Sequence, residues 1–402
     1  MKAIVFHAIG DIRLDEVPEP ILEHPKDAIV RLTASAICGT DLHFVRGTVS
    51  GMKKGQILGH EGVGIVESVG SEVRNIRVGQ RVIIPSTIGC GECAFCQRQL
   101  YAQCDKANPQ GKHGGTVFYG GPEETGNIKG LQAEKARVLY ADAMLVPVPD
   151  NIDDDQAILL SDILPTGWFG ADLAGIEEGD TVLVFGCGPV GQMAIASAKL
   201  MGGRVIAVDR LPDRLDIARR QGAEVINFNE QDVPETVLQL TNGDGAIRVI
   251  DAVGVDAQHA HEGPNEPSLL GKAKLAIEQM IIEPEAKKHG SHWVAGDSPA
   301  QVHDWAVECA AKAGTVAIIG VYPLTDRSFP IGKAMNKNLT LKMGNCNHRR
   351  YYDVLLEHVA AGRLDPAKIL TEIEPMTDAI AAYKAFDERR PGWLKVKLEP
   401  AA

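Results

Sequence analysis

The chain has 402 residues, of which 45% are apolar and 23% are charged, and this balance excludes a largely disordered protein. Its formal net charge of −12 disfavours nucleic acid and anionic membrane surfaces, since both attract clustered Lys and Arg. We therefore expect no nucleic acid and no membrane among its partners. The opening residues, MKAIVFHAIG, lack a basic start and an apolar leader, so we expect a cytoplasmic protein.

The first third of the chain reads as short β-strands separated by Gly and Pro. Segments such as KAIVF, AIVRLTASAI, GVGIVESVG and RVIIP are rich in β-branched residues and are bounded by turn residues. This pattern predicts a small, mostly-β, barrel-like domain.

Two loops of this β-rich part carry residue types that bind metals. Cys38 lies in ASAICGTDLH, and His60 and Glu61 lie in ILGHEGVG, each at the junction of a strand and a loop. A thiolate, an imidazole and a carboxylate all ligate zinc. A lone Cys or His is more often a packing residue, so these positions by themselves leave the choice open.

Four further cysteines fall within fifteen residues, in the stretch CGECAFCQRQLYAQC. Two-residue gaps between cysteines are typical of tetrahedral zinc sites. A disulfide framework would suit a small secreted domain, whereas the remaining cysteines here are scattered along a long chain. We predict a structural zinc rather than a loop of reduced surface thiols. Its ligands would be Cys90, Cys93, Cys96 and Cys104.

From about Thr181, strands alternate with helical segments, beginning with TVLVFG, PVGQMAIASAKLMG and RVIAVD. Val- and Ile-rich strands in alternation with helices predict βαβ units and a doubly wound parallel sheet. The apolar stretch 181–200 approaches the length of a membrane span. Its glycines and its β-branched first half indicate a strand that enters a helix instead.

The turn after the first of these strands carries a dinucleotide-binding pattern. GCGPVG has the G-x-G-x-x-G spacing between a strand and a helix, where glycines admit a pyrophosphate at the helix N-terminus. The next strand ends in Asp209, whose carboxylate suits ribose hydroxyls and repels a 2′-phosphate, so NAD is preferred to NADP. Arg210 follows and suits stacking on adenine. The predicted cofactor-binding residues of this region are Gly186, Gly188, Pro189, Val190, Gly191, Asp209 and Arg210.

Residues 255–299 are rich in His, Glu, Gly and Pro and are too long for an ordinary connection, so we interpret them as an inserted excursion. His259 and His261 within it could form an extra metal site. A solvated polar loop is favoured, since no further ligands stand at suitable spacing. His348, beside two arginines, is similarly ambiguous.

Together with the segment LLSDILPTGWFGA, these motifs resemble the medium-chain zinc-dependent alcohol dehydrogenases over essentially the whole chain. The resemblance implies an α/β fold, with a GroES-like, mostly-β catalytic domain and a doubly wound Rossmann domain. The expected catalytic domain, with its zinc lobe, spans 1–163, and the NAD-binding domain spans 164–345. Residues 346–402 are expected to return to the catalytic domain.

The resemblance also implies NAD and two zinc ions per chain, one structural and one catalytic. Cys38 and His60 match two ligands of the catalytic zinc, and Asp162 stands where many members have a cysteine. A carboxylate is a competent zinc ligand. Glu61 is expected to tune this zinc, with mere support of the loop as the alternative.

The implied reaction is hydride transfer between a primary alcohol or aldehyde and NAD. Thr40 and His43 would relay the proton, and Thr166, with Gly167, would place the nicotinamide. No motif identifies the substrate, a small molecule. Four aromatic residues either line its site or belong to the core, namely Phe118, Tyr119, Trp168 and Phe169. By analogy we expect a homo-oligomer, either a dimer or a tetramer.

Three alternatives stay in view. SDILPTG and HAHEGPNEP are similar to the formaldehyde dehydrogenase and dismutase branch, which admits an aldehyde dismutase with tightly bound NAD. A non-catalytic zinc ribbon for nucleic acid is disfavoured, because only Arg98 and Lys106 lie among the clustered cysteines. A metal-free reductase of the same superfamily would lack the three expected zinc ligands.

Overall fold

The computed structural model describes residues 1–286 and 292–400. Its strands, numbered in chain order, are β1 (Lys2–Ala8), β2 (Asp11–Glu16), β3 (Ala28–Ile37), β4 (Gln56–Ile57), β5 (Gly62–Val69), β6 (Arg81–Ile84), β7 (Lys135–Val138), β8 (Val146–Pro147), β9 (Thr181–Phe185), β10 (Arg204–Asp209), β11 (Glu224–Asn227), β12 (Ala246–Asp251), β13 (Ala310–Ile318), β14 (Thr340–Met343), β15 (Glu372–Pro375) and β16 (Val396–Glu399).

The α-helices, numbered in the same way, are α1 (Gly39–Arg46), α2 (Ala141–Met144), α3 (Asp154–Leu160), α4 (Ile163–Ala174), α5 (Pro189–Leu200), α6 (Pro212–Arg220), α7 (Val233–Leu240), α8 (Leu269–Ile282), α9 (Gln301–Cys309), α10 (Ile331–Asn336), α11 (Tyr352–Ala360) and α12 (Ala379–Asp387). Short 3-10 turns occupy Cys96–Arg98, Tyr101–Gln103, Gly111–His113, Glu123–Thr125, His348–Arg350, Pro366–Ile369 and Met376–Asp378.

The chain divides into two compact units. The first comprises Met1–Pro165 and the described residues within 287–294 and 345–402, and the second comprises Thr166–Ala286 and Ala295–Gly344. The expected boundaries after residues 163 and 345 fall within two residues of these divisions. The expected domain boundaries did not assign residues 292–294 to the first unit, to which they belong.

In the first unit, a mostly antiparallel sheet brings two loop junctions side by side. Its strand order is β15-β16-β3-β5-β6-β8, with β7 also pairing with β3. β3 and β5 pair with Ser35 opposite Gly62. The end of β3, just before Cys38, therefore lies beside the start of β5, just after His60 and Glu61. β16 pairs with this same end of β3.

The second unit is built on a parallel sheet in the order β11-β10-β9-β12-β13-β14. Every neighbouring pair in that order is parallel. This order is that of a doubly wound dinucleotide-binding sheet, in which ligands bind outside the carboxyl ends of the strands. The apolar stretch 181–200 forms β9, a glycine turn and α5. In the part of the chain that the structure describes, no helix has the length and apolarity needed to cross a membrane.

The excursion 255–299 contains α8 and contributes one core residue to the first unit. Trp293 is 5% exposed and lies among the core side chains of that unit, with its ring centroid 6.5 Å from that of Tyr383. Its backbone N–H donates to Asp387 at 2.6 Å, and Asp387 forms a buried ion pair with Arg46 of α1 at 2.8 Å. The polar composition of the excursion did not predict this contact, because a single large side chain makes it.

Candidate active site and zinc lobe

The four clustered cysteines meet in a lobe of short turns between β6 and β7. Their side chains are buried and form no disulfide. The Sγ atoms of Cys90 and Cys96 are 4.0 Å apart, and those of Cys93 and Cys104 are 3.9 Å apart. Zinc–sulfur bonds of about 2.3 Å in a tetrahedron would separate the sulfurs by roughly 3.8 Å. The lobe therefore fits a zinc ion and is far too open for S–S bonds of about 2 Å.

Backbone N–H groups stabilise negative charge on these sulfurs. Cys90 Sγ accepts from the backbone of Glu92 and Cys93 at 3.3 Å, and Cys104 Sγ accepts from Cys90 at 3.2 Å and Ala107 at 3.4 Å. Donation from the Cys96 thiol, together with these N–H groups, lowers the pKa of Cys104 to about 4. Burial raises the pKa of Cys90, and the hydrogen bond to Cys104 raises that of Cys96, so the thiolate form that a metal requires is favoured at Cys104.

A second cluster joins residues far apart in the chain. Cys38 caps the N-terminus of α1, His60 and Glu61 precede β5, and Asp162 lies between α3 and α4. One ligand atom from each of the four lies within 4.8 Å of the others, and all four side chains are buried. The structure therefore brings together the three residues expected to ligate the catalytic zinc, with Glu61 beside them.

The separations in this cluster suit zinc. Cys38 Sγ and His60 Nε2 lie 3.8 Å and 3.6 Å from Asp162 Oδ2. Tetrahedral zinc bonds of 2.0–2.3 Å to N, O and S would give roughly 3.3–3.8 Å. Burial raises the pKa of the Cys38 thiol, with the neighbouring His60 opposing this rise. A cation is the natural partner of such a buried, acidic donor set.

Each expected ligand is held by a further side chain. His60 Nδ1 lies 3.3 Å from Asp41 Oδ1, and the other oxygen of Asp41 accepts from the Cys38 backbone at 3.0 Å. Burial opposes the charged imidazole, but the Asp41 and Cys38 charges raise the pKa of His60 well above its usual value. Asp41, expected to be a local hydrogen-bonder, also aims the His60 ring, leaving Nε2 toward Asp162.

His348 holds Asp162, the third predicted ligand of the catalytic zinc. Its Nε2 lies 2.8 Å from Asp162 Oδ1, and its Nδ1 lies 3.0 Å from the hydroxyl of Thr87. Burial disfavours charge on Asp162, yet these contacts and His60 hold its pKa well below the usual range. The two carboxylate oxygens are thereby divided, Oδ1 toward His348 and Oδ2 toward Cys38 and His60. The sequence left His348 ambiguous, because it lies 186 positions from its partner.

Lys395 is a site residue that the sequence reasoning missed. Its ammonium lies 2.5 Å from Glu61 Oε1, donates to the Ile37 carbonyl at 3.0 Å, and is fully buried, as is Glu61. Burial raises the pKa of Glu61 to about 7, and the Lys395 charge opposes the rise. Lys395 lies just before β16, and the surrounding sequence WLKVKLEP resembles an ordinary alternating strand, so it contains no signal for a buried lysine.

Thr40 and His43, the expected proton relay, lie one turn apart on α1. His43 is 5% exposed, and its Nδ1 is 3.0 Å from the Thr48 hydroxyl. Phe118, which the sequence left open between the substrate site and the core, meets the His60 ring edge-on with centroids 6.1 Å apart. The cluster therefore has an aromatic neighbour, and α1 carries the Thr40 hydroxyl and the His43 imidazole close to Cys38 in the chain.

The glycine turn of the second unit has the close packing that its spacing predicts. Gly186 has φ +87°, a conformation that disfavours other residues, and a Cβ at Gly191 would lie 1.8 Å from the Gly186 carbonyl oxygen. Gly188 caps α5, with Pro189 at its first turn. The turn therefore presents the free N-terminus of α5, which is the usual seat of a pyrophosphate.

Asp209 ends β10 beside this turn. Its carboxylate accepts backbone N–H groups from Cys187 at 2.8 Å, Arg210 at 2.7 Å and Leu211 at 3.0 Å. The Arg210 guanidinium donates to Gln258, and burial lowers its pKa. Asp209 thus fixes the turn and keeps an anionic group at the end of β10.

Thr166 and Gly167 lie on α4, in the second unit. A Cβ at Gly167 would come within 2.6 Å of the backbone of Met193, so this glycine permits α4 to pack closely on α5. Thr166 is half-buried, and Val190 occupies the first turn of α5.

Comparisons with known proteins agree with this architecture. Residues 24–150 match the family model "Alcohol dehydrogenase GroES-like domain", and residues 189–260 match "Zinc-binding dehydrogenase". An uncharacterized zinc-type alcohol dehydrogenase-like protein, AdhB of Bacillus subtilis (strain 168), is 35% identical over 404 residues, covering 100% of both chains. The chain belongs to the zinc-type alcohol dehydrogenases. The family, the α/β fold and the enzyme class predicted from the sequence are confirmed.

Two further relatives of this alcohol dehydrogenase are named for their activities. The glutathione-independent formaldehyde dehydrogenase of Pseudomonas aeruginosa (strain LESB58) is 32% identical over 407 residues, covering 97% of this chain and 96% of its own. The structure of the alcohol dehydrogenase TADH from Thermus sp. ATN1 is 32% identical, with a TM-score of 0.79 and 99% of each chain covered. Like its family, the chain is a zinc-dependent oxidoreductase that acts on alcohols with NAD.

His259 and His261 lie side by side in the excursion. Their rings are 5.0 Å apart, and His259 Nδ1 lies 2.9 Å from Asp297. In the described part of the chain, three or more Cys, His, Asp or Glu donors converge only at the lobe and at the Cys38 cluster. The polar-loop interpretation of the pair stays a prediction.

Proposed function

We propose that this dehydrogenase interconverts a small primary alcohol and its aldehyde at the Cys38 cluster. One observation carries the proposal: a thiolate, an imidazole and two carboxylates from distant positions have donor atoms within 4.8 Å of one another. Donors of this kind suit a catalytic zinc that keeps one position open for substrate. A zinc ion bound there would polarise the substrate oxygen as a Lewis acid.

Charge balance supports Cys38, His60 and Asp162 as the ligands, with Glu61 in a tuning role. Lys395 offsets the charge of Glu61, because the two ionic groups are 2.5 Å apart and fully buried. The thiolate of Cys38 and the carboxylate of Asp162 then match the +2 charge of zinc, while His60 binds as the neutral ring. Glu61 with Lys395 sets the local field without supplying a required ligand.

We assign the proton transfer to Thr40 and His43. Thr40 lies two residues beyond Cys38 and can pass a substrate proton through its hydroxyl, and the imidazole of His43 can pass it onward. The contact of His43 Nδ1 with the Thr48 hydroxyl, at 3.0 Å, orients the ring.

For the cofactor, we propose that the turn from Gly186 to Gly191 holds the pyrophosphate of NAD and that Thr166 positions the nicotinamide. NAD supplies the hydride acceptor or donor. Asp209, with its carboxylate on the edge of the turn, favours NAD over NADP by repelling a 2′-phosphate. The four-cysteine lobe is proposed to hold a second, structural zinc.

A second candidate is an aldehyde dismutase that retains its NAD. Asp162 in place of a cysteine and the relationship to the Pseudomonas formaldehyde dehydrogenase favour it. We further propose that the enzyme works as a homo-oligomer in the cytoplasm. The eight reduced cysteines, all within the described residues, support a reducing compartment.

The test is a zinc count by elemental mass spectrometry on the purified chain and on Cys38→Ser, with NAD assayed after denaturation. We expect two zinc ions in the wild type and one in C38S, together with loss of primary-alcohol oxidation. Two zinc ions in C38S would contradict the ligand assignment. Stoichiometric NAD in the denatured wild type, with aldehyde turnover in the absence of added NAD, would favour the dismutase.

A further inference from the structure

The helix α8 in the second unit presents its apolar side outward. Leu269 and Leu270 are 88% and 85% exposed, and Ile277, Met280 and Ile281 are 61%, 76% and 66% exposed. With Ala273 and Ala276, which are also exposed, these residues form what we call the outer face of α8.

The inward side of α8 mixes apolar and polar residues. Leu275 is half-buried and Ile282 is buried, and Gln279 beside them donates to the Gly296 carbonyl. A surface helix ordinarily keeps its apolar residues in the stripe toward the core, so the apolar outer face is a departure from that arrangement. A contiguous exposed apolar patch rimmed by polar groups marks an interaction surface. The outer face of α8 is therefore built to be covered.

A groove of about 860 Å³ runs between α8 and residues 324–328. Its apolar lining includes Leu270, Ile277 and Leu324, the last of which is 85% exposed. Lys274 and Glu278 also line it, which places one positive and one negative group on this side of the helix.

We propose that a second copy of the chain covers the outer face, with the two α8 helices antiparallel about a twofold axis near Ala276. A twofold interface must be self-complementary. Lys274 and Glu278 lie at equal distances from Ala276 along the helix, so the axis brings Lys274 of one copy opposite Glu278 of the other. It also brings the Leu269–Leu270 end of each helix to the Met280–Ile281 end of its mate, and it gives each groove an apolar occupant.

The charge of the chain favours this occupant over an anionic membrane. A net charge of −12 repels anionic lipid, whereas the exposed Lys274 and the half-buried Glu278, which both line the groove, complement a copy of themselves. The inference rests on the homo-oligomer proposed above and names the surface through which it assembles.

The first test compares Ile277→Glu with Val78→Glu in the full chain. Val78, in the first unit, is 62% exposed and so is matched to Ile277 at 61%. By sedimentation velocity we expect an associated wild type, a twofold lower mass for I277E, and an unchanged mass for V78E. A monomeric wild type would overturn both the homo-oligomer and this surface. An I277E variant that keeps the wild-type mass would overturn the surface alone.

The second test exchanges the charges. K274E and E278K should each weaken association at least ~10-fold, because each places like charges opposite one another across the axis, and the combined K274E/E278K variant should restore it. Melting curves separate this from a change in helix stability, which the single variants should barely alter. A combined variant as weak as the singles would overturn the antiparallel register. Flotation of the wild type, but not I277E, with phosphatidylcholine vesicles would overturn the proposal in favour of a membrane surface.

Discussion

The two clusters of metal donors are encoded in opposite ways. The lobe takes all four sulfurs from residues 90–104, and local turns bring them together. The Cys38 cluster takes donors from three distant parts of the chain, and its supporting groups, His348 and Lys395, come from a fourth and a fifth. The comparison teaches that the spacing of a motif suffices for a site built within one loop. A site built across a sheet depends on strand register.

The largest effect is expected from a variant that disrupts the Cys38 cluster and leaves the lobe intact. In His60→Ala, the catalytic zinc loses its imidazole ligand, and we expect kcat/KM for alcohol oxidation to fall at least ~10³-fold, as the loss of several kcal/mol of metal assistance implies. Zinc should fall from two ions to one, with the lobe still occupied. The exposed His113→Ala serves as control and should keep both ions and full activity. An active H60A variant would separate His60 from the reaction.

The reverse experiment breaks the lobe. Cys93→Ser should also lose one zinc, but its main effect should be on stability. We expect the free energy of unfolding to fall by roughly 3–5 kcal/mol, because the lobe loses the metal cross-link that stabilises its fold. Urea denaturation and limited proteolysis around residues 90–104 measure this. If C93S lost the catalytic ion and kept the lobe intact, the two clusters would not be independent.

A third experiment tests how much Lys395, just before β16, stabilises the Cys38 cluster. Lys395→Met leaves Glu61 without its buried counter-ion, and we expect a loss of about 3 kcal/mol in the free energy of unfolding. Lys397→Met, two residues further along and within β16, is the control, because Lys397 pairs with Asp155 and Glu399, which are 38% and 48% exposed. The free energy of unfolding of Lys397→Met should fall by about 1 kcal/mol or less.

The double variant K395M/E61Q should recover most of the loss seen in K395M, since it removes the uncompensated charge. Equal losses in K395M and K397M, measured by urea denaturation at pH 8, would show that burial of the pair does not matter.

The smallest expected effect concerns His348. In His348→Ala, Asp162 loses the partner of its Oδ1, and we expect the affinity of the catalytic zinc to fall about 10–100-fold, the usual range for a group that orients a ligand. Competition with a chelator measures this independently of turnover. His348→Gln, which retains a hydrogen-bond donor, should recover part of the affinity. Zinc affinity equal to wild type in H348A would leave His348 with a packing role only.

Local patterns were sufficient for the lobe and for the glycine turn. Gly186 and Gly191 are required by positive φ and by an approach of 1.8 Å, both of which are set by the few residues between β9 and α5. For Cys38, His60 and Asp162, in contrast, the chain offered only residue types, and the resemblance to a family supplied their association. The register that places Ser35 opposite Gly62 brings the first two together.

The sequence by itself thus determined the lobe, the dinucleotide turn and the alternation of strands and helices, since each depends on neighbours a few residues apart. Only the tertiary structure decided that Lys395 neutralises Glu61, that His348 divides the oxygens of Asp162, and that α8 turns its apolar side outward. The physical reason is that burial and charge pairing depend on which segments pack together. Neither the period of a strand nor the composition of a loop records that packing.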